Sequence, residues 1–237
     1  MTFRDRLLAT LRAIRPVLEV PGIMVVGSEV PNLLQPDAAS TLVVSQDVDL
    51  AVPIAGHEEV KQRLRVVEAL IRSEDEPSVW IDPAGRLLEV NFVGRDPAIR
   101  EAEETYVLED RELPLLVFGQ LSLMVPGPPL VVEDLVVPLP RLAGLVLEKL
   151  LTDRSGEKGE RDLLVALALL MVGTDSDAEE LGILYRALRA DLRHAVRSNM
   201  TVLSLLAPRP GMPDPRAQRQ RVSDVLSRLE RQDAQAT

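Results

Sequence analysis

Ile23-Met-Val-Val-Gly-Ser28, followed after a proline-punctuated loop by Ser45-Gln-Asp-Val-Asp-Leu-Ala-Val52, is the part of the chain whose reading decides the fold. The first segment is a short apolar run ending on Gly27-Ser28. The second alternates Val48, Leu50 and Val52 with Asp47, Asp49 and Ala51. Side chains alternate between the faces of a strand, so Asp47 and Asp49 share one face. Strands disfavour Asp, and two unneutralised carboxylates repel; the pair suits a divalent cation. A Gly-Ser turn feeding a helix start is a natural seat for phosphate. Together these features point to a metal-dependent site for a nucleoside triphosphate.

Phe3, Leu7, Leu8, Leu11 and Ile14 recur at helical spacing behind Thr2, a fitting N-cap, and Pro16 and Pro21-Gly22 close that segment. Pro31 and Pro36 leave room for only a short helix after Ser28. Thr41 to Ile54 reads as β-rich, and Val60, Leu64, Val67, Leu70 and Ile71 predict an amphipathic helix over 57–73. Ser78 to Ile81 and Arg86 to Val93 flank Asp82-Pro-Ala-Gly85, a hairpin signature in which Gly supplies positive φ. Short strands are expected at Leu115 to Phe118, Leu121 to Met124 and Leu130 to Val132.

Beyond Pro140 the pattern is helical: Leu142 to Leu150, a polar loop from Asp153 to Gly159, an apolar helix from Arg161 to Val172, then Glu179 to Ser198 and Thr201 to Leu206. Pro208 to Pro215 reads as a linker and Arg216 to Arg231 as a polar helix. The expected organisation is a mixed α/β domain over 1–139, a helical domain over 140–206, and a linker with a basic C-terminal helix or tail over 207–237.

A chain of 237 residues that is 46% hydrophobic and 27% charged can bury an ample core, and with only 3% aromatic residues that core is built from Leu, Val, Ile and Ala. The absence of Cys excludes disulfides and thiolate metal sites and fits a reducing compartment. Two His make zinc catalysis a poor fit. A net charge of −10 disfavours extended non-specific nucleic-acid binding. The stretch from Arg186 to Arg231 is nevertheless locally basic, its arginines outnumbering Asp191, Asp214, Asp224 and Glu230. It reads as a solvated helical face. With only Tyr185 as an aromatic neighbour, it offers little stacking for single-stranded RNA.

The N-terminus looks like an amphipathic helix rather than a leader, and the longest apolar run, Leu163 to Val172, is too short to span a bilayer. A cytoplasmic protein with no membrane partner is expected. Gly156-Glu-Lys-Gly159 is too short for a Walker loop, and neither a Gly-x-Ser-x-Gly elbow nor a dinucleotide fingerprint occurs. His57 and His194 read as solvated.

Nucleotidyl transfer asks a protein mainly for positioning and charge neutralisation. Two Mg²⁺ (or Mn²⁺) ions about 3.5–4 Å apart can clamp the attacking and leaving oxygens, and Mg²⁺ prefers carboxylate and phosphate oxygens. Asp47 and Asp49 would supply bridging carboxylates, and Gly27 and Ser28 would hold the triphosphate. In Arg86 to Val93, alternation places Glu89 and Asn91 on one face and Leu88, Val90 and Phe92 on the other. Glu89 is therefore the candidate third catalytic and metal-binding carboxylate.

Gly27-Ser28, Asp47-Val-Asp-Leu50 and an acidic strand after a helix resemble the nucleotidyltransferase superfamily that shares the DNA polymerase β-type catalytic fold. The remainder is similar to its abortive-infection AbiEii-like branch, whose toxins act in toxin–antitoxin pairs. There a helical domain carries a lysine on its first helix and a basic–acidic helix start, matched here by Lys149 in Leu147-Glu-Lys-Leu150 and by Lys158, Arg161 and Asp162. The resemblance covers about residues 20–172. It implies an α+β fold, a nucleotidyltransferase-like mixed β-sheet with flanking helices followed by a helical domain. It also implies transfer of a nucleotidyl group from an NTP to an RNA, such as tRNA, or to a protein. Lys149 and Lys158 would join Gly27 and Ser28 in binding nucleotide, and an antitoxin or other protein is the implied partner.

The chain departs from the family in two places. The spacing from Ser28 to Asp47 is long, so Pro31 to Ser40 reads as an insertion. Asn91, rather than an acid, aligns with the family's third aspartate. Glu89 can compensate on the same face; the alternative is a non-catalytic nucleotide- or partner-binding module on the same fold.

Overall fold

The computed structural model describes residues 2–35, 42–99, 101–102, 104–151 and 156–234. Residues 36–40 of the expected insertion, Thr41, and residues 153–155 of the expected polar loop lie outside that set. The chain divides into two compact units, Met1–Pro140 and Arg141–Thr237. Among the described residues, no helix is long and apolar enough to cross a membrane.

In the first unit, α1 (Phe3–Ala13) starts on a reciprocal cap: the Asp5 N–H donates to the Thr2 hydroxyl, and the Thr2 N–H donates to the Asp5 carboxylate. It buries Leu7, Leu8 and Leu11 and leads through α2 (Arg15–Leu18) to β1 (Met24–Val25). There follow α3 (Val30–Leu34), β2 (Asp47–Pro53), a 3₁₀ turn (Ile54–Gly56) and α4 (His57–Leu64). The strands β3 (Ile71–Arg72), β4 (Val79–Ile81), β5 (Glu89–Arg95), β6 (Thr105–Leu108) and β7 (Leu115–Phe118) come next. A second 3₁₀ turn (Gly119–Leu123) and the hairpin β8 (Leu130–Val132) to β9 (Leu135–Val137) complete the unit.

The strands β1 to β7 form one mixed sheet of seven strands, ordered β1-β2-β5-β4-β3, with β7 and β6 branching from β5. At its centre β2 runs parallel to β5, which requires the long crossover through α4. The other edge of β5 is shared. Val90 and Asn91 pair with Trp80 and Val79 of β4, while Val93 and Gly94 pair with Leu116 and Val117 of β7. Alternation fixes the faces: Val48, Leu50 and Val52 are fully buried, whereas Asp47 and Asp49 are half-buried on the other side. The sheet and the helices beside it give the expected α+β class.

Several elements differ from the sequence reading. The helix expected over 57–73 stops at Leu64, because Ile71 and Arg72 pair with Ile81 and Trp80 as an edge strand. Tertiary pairing overrides the helical period there. The β-rich stretch expected from Thr41 becomes a strand only at Asp47. Before it, the Asn32 side chain does the work of a ladder: its Oδ1 accepts from the N–H of Leu42 and of Val43, and its Nδ2 donates to the Val43 carbonyl. Leu121 to Met124 is no strand: Leu121 to Leu123 belong to the second 3₁₀ turn and Met124 follows it, and the turn is held where the Gly119 N–H donates to the Glu104 carbonyl at 2.7 Å. The hairpin turn is as expected, with Gly85 at φ 65° and Asp82 accepting from the N–H of Ala84, Arg86 and Leu87.

The second unit is helical: α5 (Leu142–Leu151), α6 (Gly156–Val172), α7 (Asp175–Ala187), α8 (Ala190–Leu205) and α9 (Arg219–Ala234). α5 is buried almost throughout and packs on α6, α7 and α8. α6 begins at Gly156, so the end of the expected polar loop is helical. α7 is capped by Thr174 and Asp177. α9 packs on α7 and α8 with Val222 and Leu229 buried, so the segment read as a basic helix or tail is a helix anchored in this unit.

Candidate functional site

β1 pairs with β2 through Met24↔Ala51 and Val25↔Leu50, and the Val26 N–H donates to the Asp49 carbonyl at 2.9 Å. The chain then turns at Gly27-Ser28, which brings the turn beside Asp49. Gly27 has no room for a side chain: a Cβ would meet Glu29 Oε2 at 2.1 Å and Asp49 Oδ2 at 2.6 Å. The Ser28 hydroxyl donates to Ser45 Oγ at 2.8 Å, and the Ser45 hydroxyl donates to Asp47 Oδ1 at 2.5 Å. Ser28 is not a helix cap; the residue preceding α3 is Glu29, which makes no side-chain capping bond.

Across the central pair, Asp47 stands opposite Glu89 and Asp49 opposite Asn91. Four polar side chains thus share one face of two adjacent strands. Asn91 Nδ2 donates to Asp47 Oδ2 at 3.0 Å and to Asp49 Oδ1 at 3.1 Å. Carboxylates only accept, so an amide is what can bridge them in the absence of a cation. Glu89 is exposed beside Asp47, while Asn91 and both aspartates are half-buried.

The sequence reading missed Glu29. It is fully buried, its Oε1 accepts from the Asp49 N–H at 3.1 Å, and its Oε2 has no hydrogen-bond partner. Burial, then the negative charges of Asp49 and Asp47, push its carboxyl well above the usual carboxylate range. The available signal was an acid directly after Gly-Ser and directly before Val30-Pro31, in an otherwise apolar stretch.

Among the described residues, no three acidic or imidazole side chains are arranged to hold a metal ion. Mg²⁺ is commonly bound by one or two carboxylates, with phosphate and water oxygens completing its shell. Asp47 and Asp49 supply those two carboxylates side by side, joined by the Asn91 amide, which donates to one oxygen of each. The donor set fits one cation completed by ligand oxygens.

The remaining candidates lie in the helical unit. Lys149 on α5 is buried, with its Nζ 3.1 Å from Glu148 Oε2 and 3.7 Å from Asp162 Oδ1. One ammonium thus stands between two carboxylates, all three held largely out of water. Lys158 is exposed near the start of α6. His57, expected to be solvated, is instead buried, with Nε2 2.8 Å from the Leu113 carbonyl oxygen.

No protein-family model matches the chain, and no curated protein matches it significantly. Among solved structures it is similar to one from H. pylori, provisionally assigned there as a nucleotidyltransferase. The two superpose with a TM-score of 0.42 at 13% sequence identity, over 99% of this chain and 97% of that one. So remote a likeness carries no residue roles over.

Proposed function

We propose that the chain is a metal-dependent nucleotidyltransferase of the DNA polymerase β-type superfamily, which moves a nucleotidyl group from an NTP to an RNA or protein acceptor. One observation carries the reading: the Gly27-Ser28 turn and the Asp47/Asp49 pair, remote in sequence, meet in one place. Asp49 Oδ2 lies 2.6 Å from where a Gly27 Cβ would be, and Ser45 links Ser28 to Asp47.

Asp47 and Asp49 would hold Mg²⁺ or Mn²⁺, which when bound neutralises charge on the triphosphate and at the reacting oxygens. The reaction joins an acceptor oxygen to the α-phosphorus and releases pyrophosphate. Gly27 lets the turn pass close against Asp49, where no side chain fits, and the Ser28 hydroxyl can turn from Ser45 to a phosphate oxygen. Ser45 orients Asp47, and the Asn91 amide offsets the repulsion between the two aspartates. Glu89, exposed beside Asp47, is the assisting carboxylate at the rim. The finer reading is an AbiEii-like toxin with an antitoxin partner, acting on tRNA in the cytoplasm; its support is the sequence motif alone.

A second reading, a nucleotide-binding module without turnover, is favoured by the Asn91 amide bridging both aspartates. A transfer assay decides between them. The protein is incubated with each α-³²P-labelled NTP, Mg²⁺ or Mn²⁺, and total cellular RNA, alongside the Asp47→Asn/Asp49→Asn variant. Label in RNA or protein with the wild type alone supports the enzyme. Transfer retained by the double variant sinks the assignment. Nucleotide binding by calorimetry without transfer supports the module.

A further inference from the structure

We infer that Glu29 is a positioning residue of this site, fixing Asp49 through the Asp49 backbone amide; the inference rests on reading Asp47 and Asp49 as the cation-binding pair. The N–H and C=O of one strand residue point to the same neighbour. The Asp49 carbonyl accepts from Val26, so the Asp49 N–H also points toward β1. β1, however, has already ended, and the chain has turned away at Gly27. The Glu29 carboxyl reaches back and accepts that N–H at 3.1 Å, taking the place of the missing strand. A side chain thereby sets the backbone position of one half of the carboxylate pair.

The choice of residue is costly. Glu29 is fully buried, one of its oxygens has no hydrogen-bond partner, and two further carboxylates are close by. Burying such a group is unfavourable. Departures from the locally cheapest choice concentrate at functional sites. Glu29 is also the next residue after Ser28, so a single residue joins the phosphate seat to the cation seat. It acts through Asp49 and is not itself assigned as a ligand.

The test uses the full chain and Mn²⁺ alone as the probe, with affinity read by electron paramagnetic resonance and Asp49 amide exchange by NMR. Glu29→Met removes the acceptor at similar volume, and Glu29→Gln keeps it. Glu29→Met should weaken Mn²⁺ binding about 10–100-fold at an unchanged melting temperature and speed Asp49 amide exchange about a hundredfold. Glu29→Gln should restore affinity to within about threefold of wild type. If Glu29→Met does not fold, Glu29→Asp takes its place, since its shorter side chain withdraws from the Asp49 N–H. Unchanged Mn²⁺ affinity and exchange in these variants overturns the role of Glu29, and the site reading stands if Asp47→Asn/Asp49→Asn abolishes binding. Failure of the wild type to bind Mn²⁺ overturns the site reading and the inference with it.

Discussion

A methyl group at Gly27 is the smallest change that tests the geometry of the site. Its Cβ would sit 2.1 Å from Glu29 Oε2 and 2.6 Å from Asp49 Oδ2, so both side chains must move. Gly27→Ala should cost about 1–3 kcal/mol in urea unfolding and about 10–100-fold in Mn²⁺ affinity by titration. Asn91→Asp tests the pair from the neighbouring strand. It replaces a donor to both aspartates with a third carboxylate. The expected outcome is a lower melting temperature in chelator and a larger rise on adding Mn²⁺ than in the wild type. The same melting behaviour with and without Mn²⁺ would contradict it. Asp47 with Asp49, and Glu89 with Asn91, were each assignable to one face of their own strand from sequence, because strand alternation is local. Glu29 was not, because its role arises only when β1 lies against β2. His57 was misjudged for the same reason: its carbonyl partner, Leu113, comes from a distant loop.

Strands whose faces differ in polarity were legible at the element scale. β2 and β5 follow their alternation, whereas β6 and β9 went unrecognised, because each is short and defined by a partner strand. The helix expected over 57–73 failed where Ile71 joined a sheet edge. α4 is tied to the loop before β7 by Lys61, whose Nζ lies 2.8 Å from Asp110 Oδ2. That bond, then the Leu113 and Glu112 N–H groups, hold the Asp110 carboxyl well below its ordinary value of 3.8. A depressed folded-state value means the stabilisation is present above about pH 4 and is lost as pH falls through the folded value. Lys61→Met should therefore flatten the acid side of the melting-temperature profile and leave its slope near neutrality alone. At the far end, α9 buries Val222 and Leu229. Each is worth about 1.5–3 kcal/mol of apolar burial, so truncation before α9 should expose helix faces to an apolar dye and lower the stability of the helical unit. A freely solvated tail would show neither effect.

Charge was read correctly in sign at the scale of the whole molecule, but its availability was hidden. Of the arginines that make the C-terminal stretch basic, Arg189 pairs with Asp191 and Arg209 with Glu160. Arg193 donates to the Leu188 carbonyl, Arg197 to the Tyr185 hydroxyl and Arg219 to the Ser204 carbonyl. Sequence counts charges and cannot show which of them are engaged internally. With a net charge of −10 besides, binding to unstructured RNA should be weak. Filter binding to poly(U) should give a log–log salt slope no steeper than about −2, about three phosphates neutralised. The branching of β5 bears on how the chain acquires its shape. β2 lies along one edge of this strand, and β4 and then β7 lie along the other. Of these pairings, only the β4–β5 hairpin closes a short loop. Closing the longer ones sacrifices more chain freedom, so they form later. The candidate site is thus completed by a long-range pairing, since Asp47 and Asp49 meet Asn91 only when β2 lies against β5.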